Sequence, residues 1–165
     1  MRLSTLSPGC LTKIEIVSAQ VSDYLKGYKL LPHERGRYPT QAGRETLAKR
    51  LQLPHPASYE QDWEWEFANP AYFKDWVEIY RSEPLNEDER ISLMEMLVQC
   101  VEDLADDLSL PVDESCEWQQ VAALLLANPR LHAQTIEYWS ALQYSEKGEY
   151  PFRVTSSMRR IRASV

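Results

Sequence analysis

The sequence predicts a mostly α-helical domain of about six helices, and three observations support this fold class. Apolar residues recur at spacings of three and four along most of the chain, which is the period of an amphipathic helix. Residue types that favour helix N-termini stand before several of these segments. The length of 165 residues fits one domain, and 44% hydrophobic with 26% charged residues is the composition of an ordinary globular protein.

The segments with the helical pattern cover, in chain order, residues 12–26, 41–53, 68–80, 86–108, 113–127 and 127–139. Four of them start at a side chain that can accept hydrogen bonds from the free N–H groups of a first turn: Thr40, Asn69, Asn86 and Asn128. Pro70 and Pro129 follow two of these asparagines, at the position where the missing N–H of proline costs nothing.

The clearest of these helical patterns is that of segment 86–108. Asn86, with Glu89 three residues later, resembles a capping box, in which each side chain bonds the backbone N–H of the other residue. Segment 113–127 is apolar on most sides, so we expect it to be the central helix of the core. We also expect a final helical turn at residues 156–163, which begin with two serines.

Residues 62–67, with the sequence DWEWEF, alternate carboxylates with aromatic rings. A period of two is typical of an extended strand, in which the rings and the charges would lie on opposite faces. A strand needs a partner, and Phe152 and Val154 alternate in the same way with polar residues. The sequence therefore also allows a small two-stranded β-ribbon that joins residues 61–67 to residues 150–155.

Charge is distributed very unevenly along the chain. The net charge of −7 is the sum of +5 over residues 1–57, −15 over 58–117, zero over 118–145 and +3 over 146–165. A negative field of this kind repels nucleic acid and anionic lipid and attracts basic proteins. A bland alternative is that the acids form a solvated face and pair with the basic ends of the same chain, and we expect the arginines of the C-terminal tail to fold back onto them.

No sequence motif identifies a catalytic, cofactor or metal site. The three histidines have no second ligand at helical spacing, and the five glycines are too scattered for a nucleotide-binding loop. The three cysteines lie far apart, which favours reduced thiols in the cytoplasm. No apolar run approaches the roughly 20 residues that span a bilayer, and the N-terminus does not resemble a secretory signal. We therefore expect a cytoplasmic protein that binds neither membrane nor nucleic acid and uses no cofactor or metal.

The charge pattern leads to a functional hypothesis: a non-enzymatic protein that docks or neutralises a basic protein partner. Carboxylates of the acidic region would steer and pair with lysines or arginines, and tryptophans would provide buried contact. The predicted partner-binding residues are Asp62, Trp63, Glu64, Trp65, Glu66, Glu102, Asp103 and Asp106. Acidic blockers of similar size and charge occur among bacterial toxin-immunity proteins, but no motif in this chain identifies a family.

Two alternatives stay open. The first is an enzyme or small-ligand-binding protein whose pocket forms only in three dimensions. Its candidate residues are four aromatic side chains and an arginine that would bind an anion: Tyr72, Trp76, Tyr138, Trp139 and one of Arg153, Arg159 or Arg160. The second alternative is a helical subunit that forms a homo-oligomer through its apolar helices.

Overall fold

The computed structural model of the chain describes residues 37–57, 62–105, 111–144 and 150–165. Within these ranges the chain forms seven α-helices, two 3₁₀ turns and no β-strand, which confirms the mostly α fold class. The helices are α1 (Gln41–Leu51), α2 (Trp63–Glu66), α3 (Phe73–Ser82), α4 (Glu87–Leu104), α5 (Cys116–Ala127), α6 (Ala133–Ser140) and α7 (Thr155–Ser164). The predicted helix at 12–26 lies outside the described residues. None of the helices in the described ranges has both the length and the apolar character needed to cross a bilayer.

Helix α4 lies at the centre of the described fold. Every residue from 91 to 98 is buried, and α4 packs against α1, α2, α3, α5 and α6. The predicted capping box fixes its N-terminus. The Asn86 side chain accepts a hydrogen bond from the backbone N–H of Glu89, and the Glu89 carboxylate accepts one from the backbone N–H of Asn86, both at 2.9 Å. This pair of bonds confirms the predicted start of the helix.

The prediction that segment 113–127 forms the central helix is wrong. Only residues 116–127 of the segment form α5, which buries a single stripe made of Trp118, Val121, Leu124 and Leu125. The sequence did not indicate that α4 is the central helix, because its buried residues include the polar Glu89, Ser92 and Glu95. Sequence patterning recognises buried positions by their hydrophobicity, so a helix with buried carboxylates resembles a surface helix.

The predicted β-ribbon is also wrong for the described part of its two segments. Residues 63–66 form one turn of α-helix, and residues 151–154 form turns that lead into α7. The ring of Trp63, at the start of α2, and that of Phe67, which follows the helix, have centroids 5.7 Å apart. The alternation of rings and acids therefore follows a helical turn instead of the two faces of a strand. The predicted final turn is a full helix, α7, which packs against α6 through a face that contains Met158 and Ile161.

The two Asn-Pro pairs begin different structures. Asn69 accepts a hydrogen bond from the N–H of Ala71 at 3.0 Å and opens the 3₁₀ turn Pro70–Tyr72, which leads into α3. Asn128 instead ends α5, and α6 begins only at Ala133 after a further turn. The pair marks a helix boundary in both places but a helix start only in the first.

A buried polar pair connects α3 with the turn before α6. Tyr80 Oη lies 2.6 Å from His132 Nε2, and His132 is fully buried. Burial, together with the positive charge of Arg90, lowers the pKa of His132 to about 3. The imidazole is therefore neutral near pH 7, and this histidine is a packed core residue.

The close packing of α1 against α4 generates a prediction about Gly43. A Cβ atom at this position would lie 2.7 Å from the Cβ and 2.9 Å from the backbone carbonyl carbon of Asp88. In an isolated helix, alanine is more favourable than glycine by about 1 kcal/mol. We nevertheless expect Gly43→Ala to lower the free energy of unfolding by about 1–3 kcal/mol, because the two helices must move apart. Urea denaturation measures the change.

The control for this prediction is Thr46→Ala, an exposed position on the same helix. It should change the free energy of unfolding by no more than about 0.5 kcal/mol. A Gly43→Ala variant as stable as the wild type would contradict the close contact between the helices.

Candidate functional site

A pocket with a volume of about 230 Å³ opens between several elements of the fold. Its walls come from residues just before α1, from α1 and α2, from the middle of α4 and from α6. The lining side chains that carry charge or aromatic surface are three carboxylates, one guanidinium and three rings. They belong to Asp62, Glu64, Glu95, Arg44, Tyr38, Trp65 and Tyr138.

A buried ion pair forms part of the wall. Arg44 Nε lies 2.8 Å from Glu64 Oε1, and the two side chains are only 14% and 3% exposed. Arg44 is on α1 and Glu64 is on α2, and both helices pack against α4. At this depth each charge has lost most of its contact with water, so each depends on the other for stabilisation.

Glu95 reaches the pocket from the centre of α4. This residue is only 7% exposed, and its Oε2 accepts a hydrogen bond from Trp139 Nε1 at 2.8 Å. Burial raises the pKa of Glu95, and the negative charge of Glu64 raises it further, while the nearby side chains of Thr135, Trp139 and Trp65 oppose the shift. The folded protein therefore favours the neutral form of Glu95 more than water does.

Aromatic rings also line the pocket. The ring centroids of Trp65 and Tyr138 lie 5.4 Å apart, and Trp139 stands edge-on behind Trp65 at 6.1 Å. Tyr138 is 41% exposed and Tyr38 is 65% exposed, so both rings reach the solvent at the mouth of the pocket. The faces of such rings carry negative electrostatic potential and attract cations.

The pocket therefore combines aromatic surface with an excess of negative charge. Three carboxylates line it, and the guanidinium of Arg44 offsets only one of them when all are ionised. Asp62 is exposed and forms no ion pair with another described residue. This composition suits a positively charged group and disfavours an anion.

The structure brings together three of the predicted partner-binding residues, because Asp62, Glu64 and Trp65 all line the pocket. Glu66 is exposed on the same helical turn, four residues after Asp62. Trp63 is different: its side chain is fully buried in the core, and its Nε1 donates a hydrogen bond to the carbonyl oxygen of Pro54 at 3.1 Å. Trp63 thus holds α2 against the core.

The other predicted residues lie elsewhere. The Glu102 carboxylate accepts hydrogen bonds from the backbone N–H groups of Arg153 and Val154, at 2.9 Å and 3.0 Å, and so binds the chain that enters α7. Asp103 is exposed near the end of α4 and accepts a hydrogen bond from Gln99 at 2.6 Å. Asp106 lies outside the described residues. Neither Glu102 nor Asp103 lines the pocket.

Many acids of the negative region are paired with the chain's own arginines. Arg37 pairs with two residues at the start of α4, and Arg50 pairs with Glu83 and with the buried Glu89. From the C-terminal helix, Arg160 pairs with Asp113, whereas Arg162 pairs with Glu137, which lies outside the negative region. The exposed acids that have no ion pair with another described residue include Asp62, Glu66, Asp75, Glu78 and Glu114.

The residues proposed for an anion-binding enzyme pocket do not converge. Arg159 donates hydrogen bonds to the carbonyl oxygens of Ser140, Ala141 and Tyr144, at 2.8, 2.9 and 2.9 Å, at the end of α6. The rings of Tyr72 and Trp76 stack on each other at 5.9 Å and line a different part of the fold. Trp139 is fully buried behind Glu95, and of the proposed set only Tyr138 lines the pocket.

Sequence analysis missed Arg44 and Glu95. No local signal marks Arg44, because its partner Glu64 is 20 residues away in the chain. Glu95 carries a signal that could have been used: it stands between Met94 and Met96, inside a run of apolar side chains. A carboxylate between apolar neighbours lies on a buried helix face more often than one between polar neighbours. A buried carboxylate then needs a hydrogen-bond partner.

Comparisons with known proteins give no match: no family model fits the sequence, and no curated protein or solved structure is significantly similar to it. In the part of the chain that the structure describes, no group of three or more His, Cys, Asp or Glu side chains is arranged to hold a metal ion. Two individual residues of other reactive types, Cys100 and His132, have strongly shifted pKa values. Burial raises the pKa of Cys100 to about 12 and lowers that of His132 to about 3.

The buried ion pair predicts a large cost for the loss of Arg44. We expect Arg44→Met to lower the free energy of unfolding at pH 7 by about 3–5 kcal/mol, because Glu64 is left charged and buried without its partner. Adding Glu64→Gln to this variant should recover part of the loss. Chemical denaturation measures all three proteins.

The control for the ion pair is Arg37→Met, because Arg37 pairs with acids of α4 while its own side chain is 50% exposed. This change should cost no more than about 1 kcal/mol. If Arg44→Met costs no more than Arg37→Met, the ion pair does not have the role described above.

The raised pKa of Glu95 predicts a pH dependence of stability. Between the pKa of about 4.5 for an unperturbed glutamate and the higher pKa in the fold, the folded state binds more protons than the unfolded state. Glu95 therefore makes stability fall as pH rises through this window. The glutamine variant Glu95→Gln cannot ionise, so its stability relative to the wild type should increase as pH is raised from 4.5 to 8.

This difference is measured by urea denaturation at several pH values, with Glu78→Gln as the control. Glu78 is exposed, so the difference between its variant and the wild type should stay nearly constant over the same range. A difference for Glu95→Gln that is equally flat would mean that Glu95 ionises in the fold as it does in water.

Proposed function

We propose that this protein is a non-enzymatic binding protein that docks, and so neutralises, a basic protein partner at the mouth of the pocket. The observation that carries the proposal is the pocket itself, in which three carboxylates and three aromatic rings surround a space with a single arginine. Acidic side chains beside partly exposed rings form the type of surface that recognises lysine or arginine side chains.

Two exposed acids can attract the partner over a long range. Asp62 stands just before α2 and Glu66 at its end, one helical turn apart, and neither forms an ion pair with another described residue. Charges of this kind raise the rate at which an oppositely charged partner arrives, and salt weakens their effect. We therefore assign Asp62 and Glu66 to steering the partner and to polar contact at the rim.

Two partly exposed rings give the proposal its short-range component. Trp65 is half-buried against Tyr138, whose ring is partly open to solvent. Aromatic side chains with one covered and one accessible face are frequent energetic centres of protein interfaces, because a partner can bury them at little entropic cost. Trp63 packs in the core and Glu102 binds the chain that enters α7, so neither belongs to the contact.

The cost of the pocket supports a binding role. Glu95 buries a polar carboxyl group and the Arg44–Glu64 pair buries two charges, and apolar residues of the same size would often leave a fold equally stable or more stable. Natural proteins accept such costs mainly where function requires the charged groups. A negative pocket that reduces stability when empty is useful if a positive group of the partner occupies it.

A second candidate, an acid–base enzyme, is favoured by one observation. Glu95 has a raised pKa and lies in the same pocket as Glu64, and carboxylates with different environments can serve as an acid and a base. The two candidates differ in what Glu95→Gln would do. It would abolish turnover by an enzyme, but a binding protein with this change would keep its partner at reduced affinity.

The experiment for the docking function is capture of partners from an extract of the source cell, at low and at high salt. The test variant is Asp62→Asn/Glu66→Gln, and the matched control is Asp75→Asn/Glu78→Gln, which removes the same charge from exposed positions outside the pocket. We expect the wild type and the control to retain a basic protein at low salt, and the test variant to retain less than about a tenth of it.

Two outcomes would overturn the proposed function. In the first, no basic protein is retained in a salt-sensitive manner by the wild type. In the second, the test and control variants lose the partner equally, so that net charge alone governs capture. A neutralising role of the immunity type and a cytoplasmic location belong to the same proposal, and identification of the captured protein tests both.

A further inference from the structure

We infer that the pocket takes the guanidinium group of one arginine side chain, in preference to the ammonium group of a lysine. The inference rests on the proposed function, because the partner supplies that arginine. It adds the chemical class of the group that enters the pocket, and it can be tested with a small probe in the absence of the partner.

The positions of the carboxylates favour a group with several divergent donors. Asp62 stands just before α2, Glu64 lies within that helix, and Glu95 extends from α4, so the three carboxylates line the pocket from different points. A guanidinium carries five N–H donors around the edge of a plane, whereas an ammonium concentrates three donors at one nitrogen. The planar group can therefore contact carboxylates on more than one side at the same time.

The aromatic wall favours the same group. Trp65 and Tyr138 both present aromatic surface to the pocket, and their rings are in contact, with centroids 5.4 Å apart and planes inclined by 32°. A guanidinium can lie flat on such a surface while its edge donates hydrogen bonds. An ammonium is more strongly hydrated, so its transfer into a pocket of this kind costs more free energy.

Arginines of the chain itself make the contacts that we propose for the ligand. Arg44 donates to Glu64 in the wall of the pocket, so a largely buried guanidinium is stable there. Elsewhere in the fold, the guanidinium carbon of Arg90 lies 5.0 Å from the ring centroid of Tyr80, and that of Arg159 lies 4.7 Å from the ring of Tyr150. An incoming arginine would use both types of contact, with Glu95 and Asp62 as acceptors and Trp65 as the ring.

Other positive ligands fit the pocket less well. A quaternary ammonium group has no N–H donor for the carboxylates, which would stay without a hydrogen bond. A divalent metal ion needs several oxygen ligands around one point, and within the described ranges no group of acids is arranged in this way. The monovalent, flat and donor-rich guanidinium combines what the carboxylates and the rings require.

The probes are N-acetyl-arginine methylamide, the lysine analogue with the same charge, and the citrulline analogue, which keeps the shape of arginine without its charge. Titration of each probe is followed by the indole N–H resonance of Trp65, which is assigned with Trp65→Phe. We expect the arginine probe to bind at least tenfold more tightly than the lysine probe. The citrulline probe should cause no saturable shift.

Variants separate the pocket from the general charge of the protein. Glu95→Gln and Asp62→Asn should each weaken binding of the arginine probe at least fivefold, while Glu78→Gln, outside the pocket, should leave it unchanged. The fold of each variant is checked by the remaining tryptophan resonances, so that a loss of binding is not confused with unfolding.

The inference is overturned if the lysine probe binds as tightly as the arginine probe, if citrulline binds equally well, or if Glu78→Gln and Glu95→Gln have the same effect. These results leave the proposed function standing when capture of a basic protein still depends on Asp62 and Glu66. The reverse result, a saturable arginine site with no captured basic protein, would retain the guanidinium site and remove the docking function.

Discussion

The enclosure of one acidic helix determines much of this fold. Helix α4 is covered from so many directions that some of its carboxylates are buried, and a buried charge without a partner costs several kcal/mol. Three of the surrounding elements supply a partner. Arg50 of α1 bonds Glu89, Trp139 of α6 bonds Glu95, and the chain that enters α7 donates its N–H groups to Glu102. Specific hydrogen bonds therefore position these elements together with apolar contact, and the pocket lies where α1, α2 and α6 meet α4.

The same bonds change the meaning of the negative region in the sequence. A net charge of −15 over residues 58–117 indicates a broad acidic face, but the basic segments on either side contribute arginines that pair with many of these acids. The expectation that the C-terminal arginines fold back onto these acids holds for Arg160, which pairs with Asp113. Arg162 pairs instead with Glu137, outside the region, and Arg159 bonds backbone carbonyl oxygens. The charge that stays available for another molecule is a smaller set of exposed acids, of which Asp62 and Glu66 stand beside the pocket.

Sequence reasoning found the helical class and the capping box at Asn86, because each depends on neighbours within a few positions. It named Asp62, Glu64, Trp65 and, for the enzyme alternative, Tyr138, but it did not place them in one pocket. It failed where contacts join distant segments. Glu95 is bonded to Trp139, 44 residues later in the chain. A sequence pattern of period two or 3.6 does not predict such a distant pair. It also assigned a strand period to DWEWEF, because a helix of one turn is too short to display its own period.

A pocket lined by several helices has a consequence for the lifetime of the protein. Arg44, Glu64, Glu95 and Tyr138 come from four different helices, so a ligand that contacts them joins these helices to one another. Any molecule that binds only the folded state stabilises that state against unfolding, and the stabilisation grows with the concentration of the molecule. On the proposed function, free and occupied molecules therefore differ in their resistance to proteolysis. The amount of this protein in the cell would then follow the amount of its partner, without any change in synthesis.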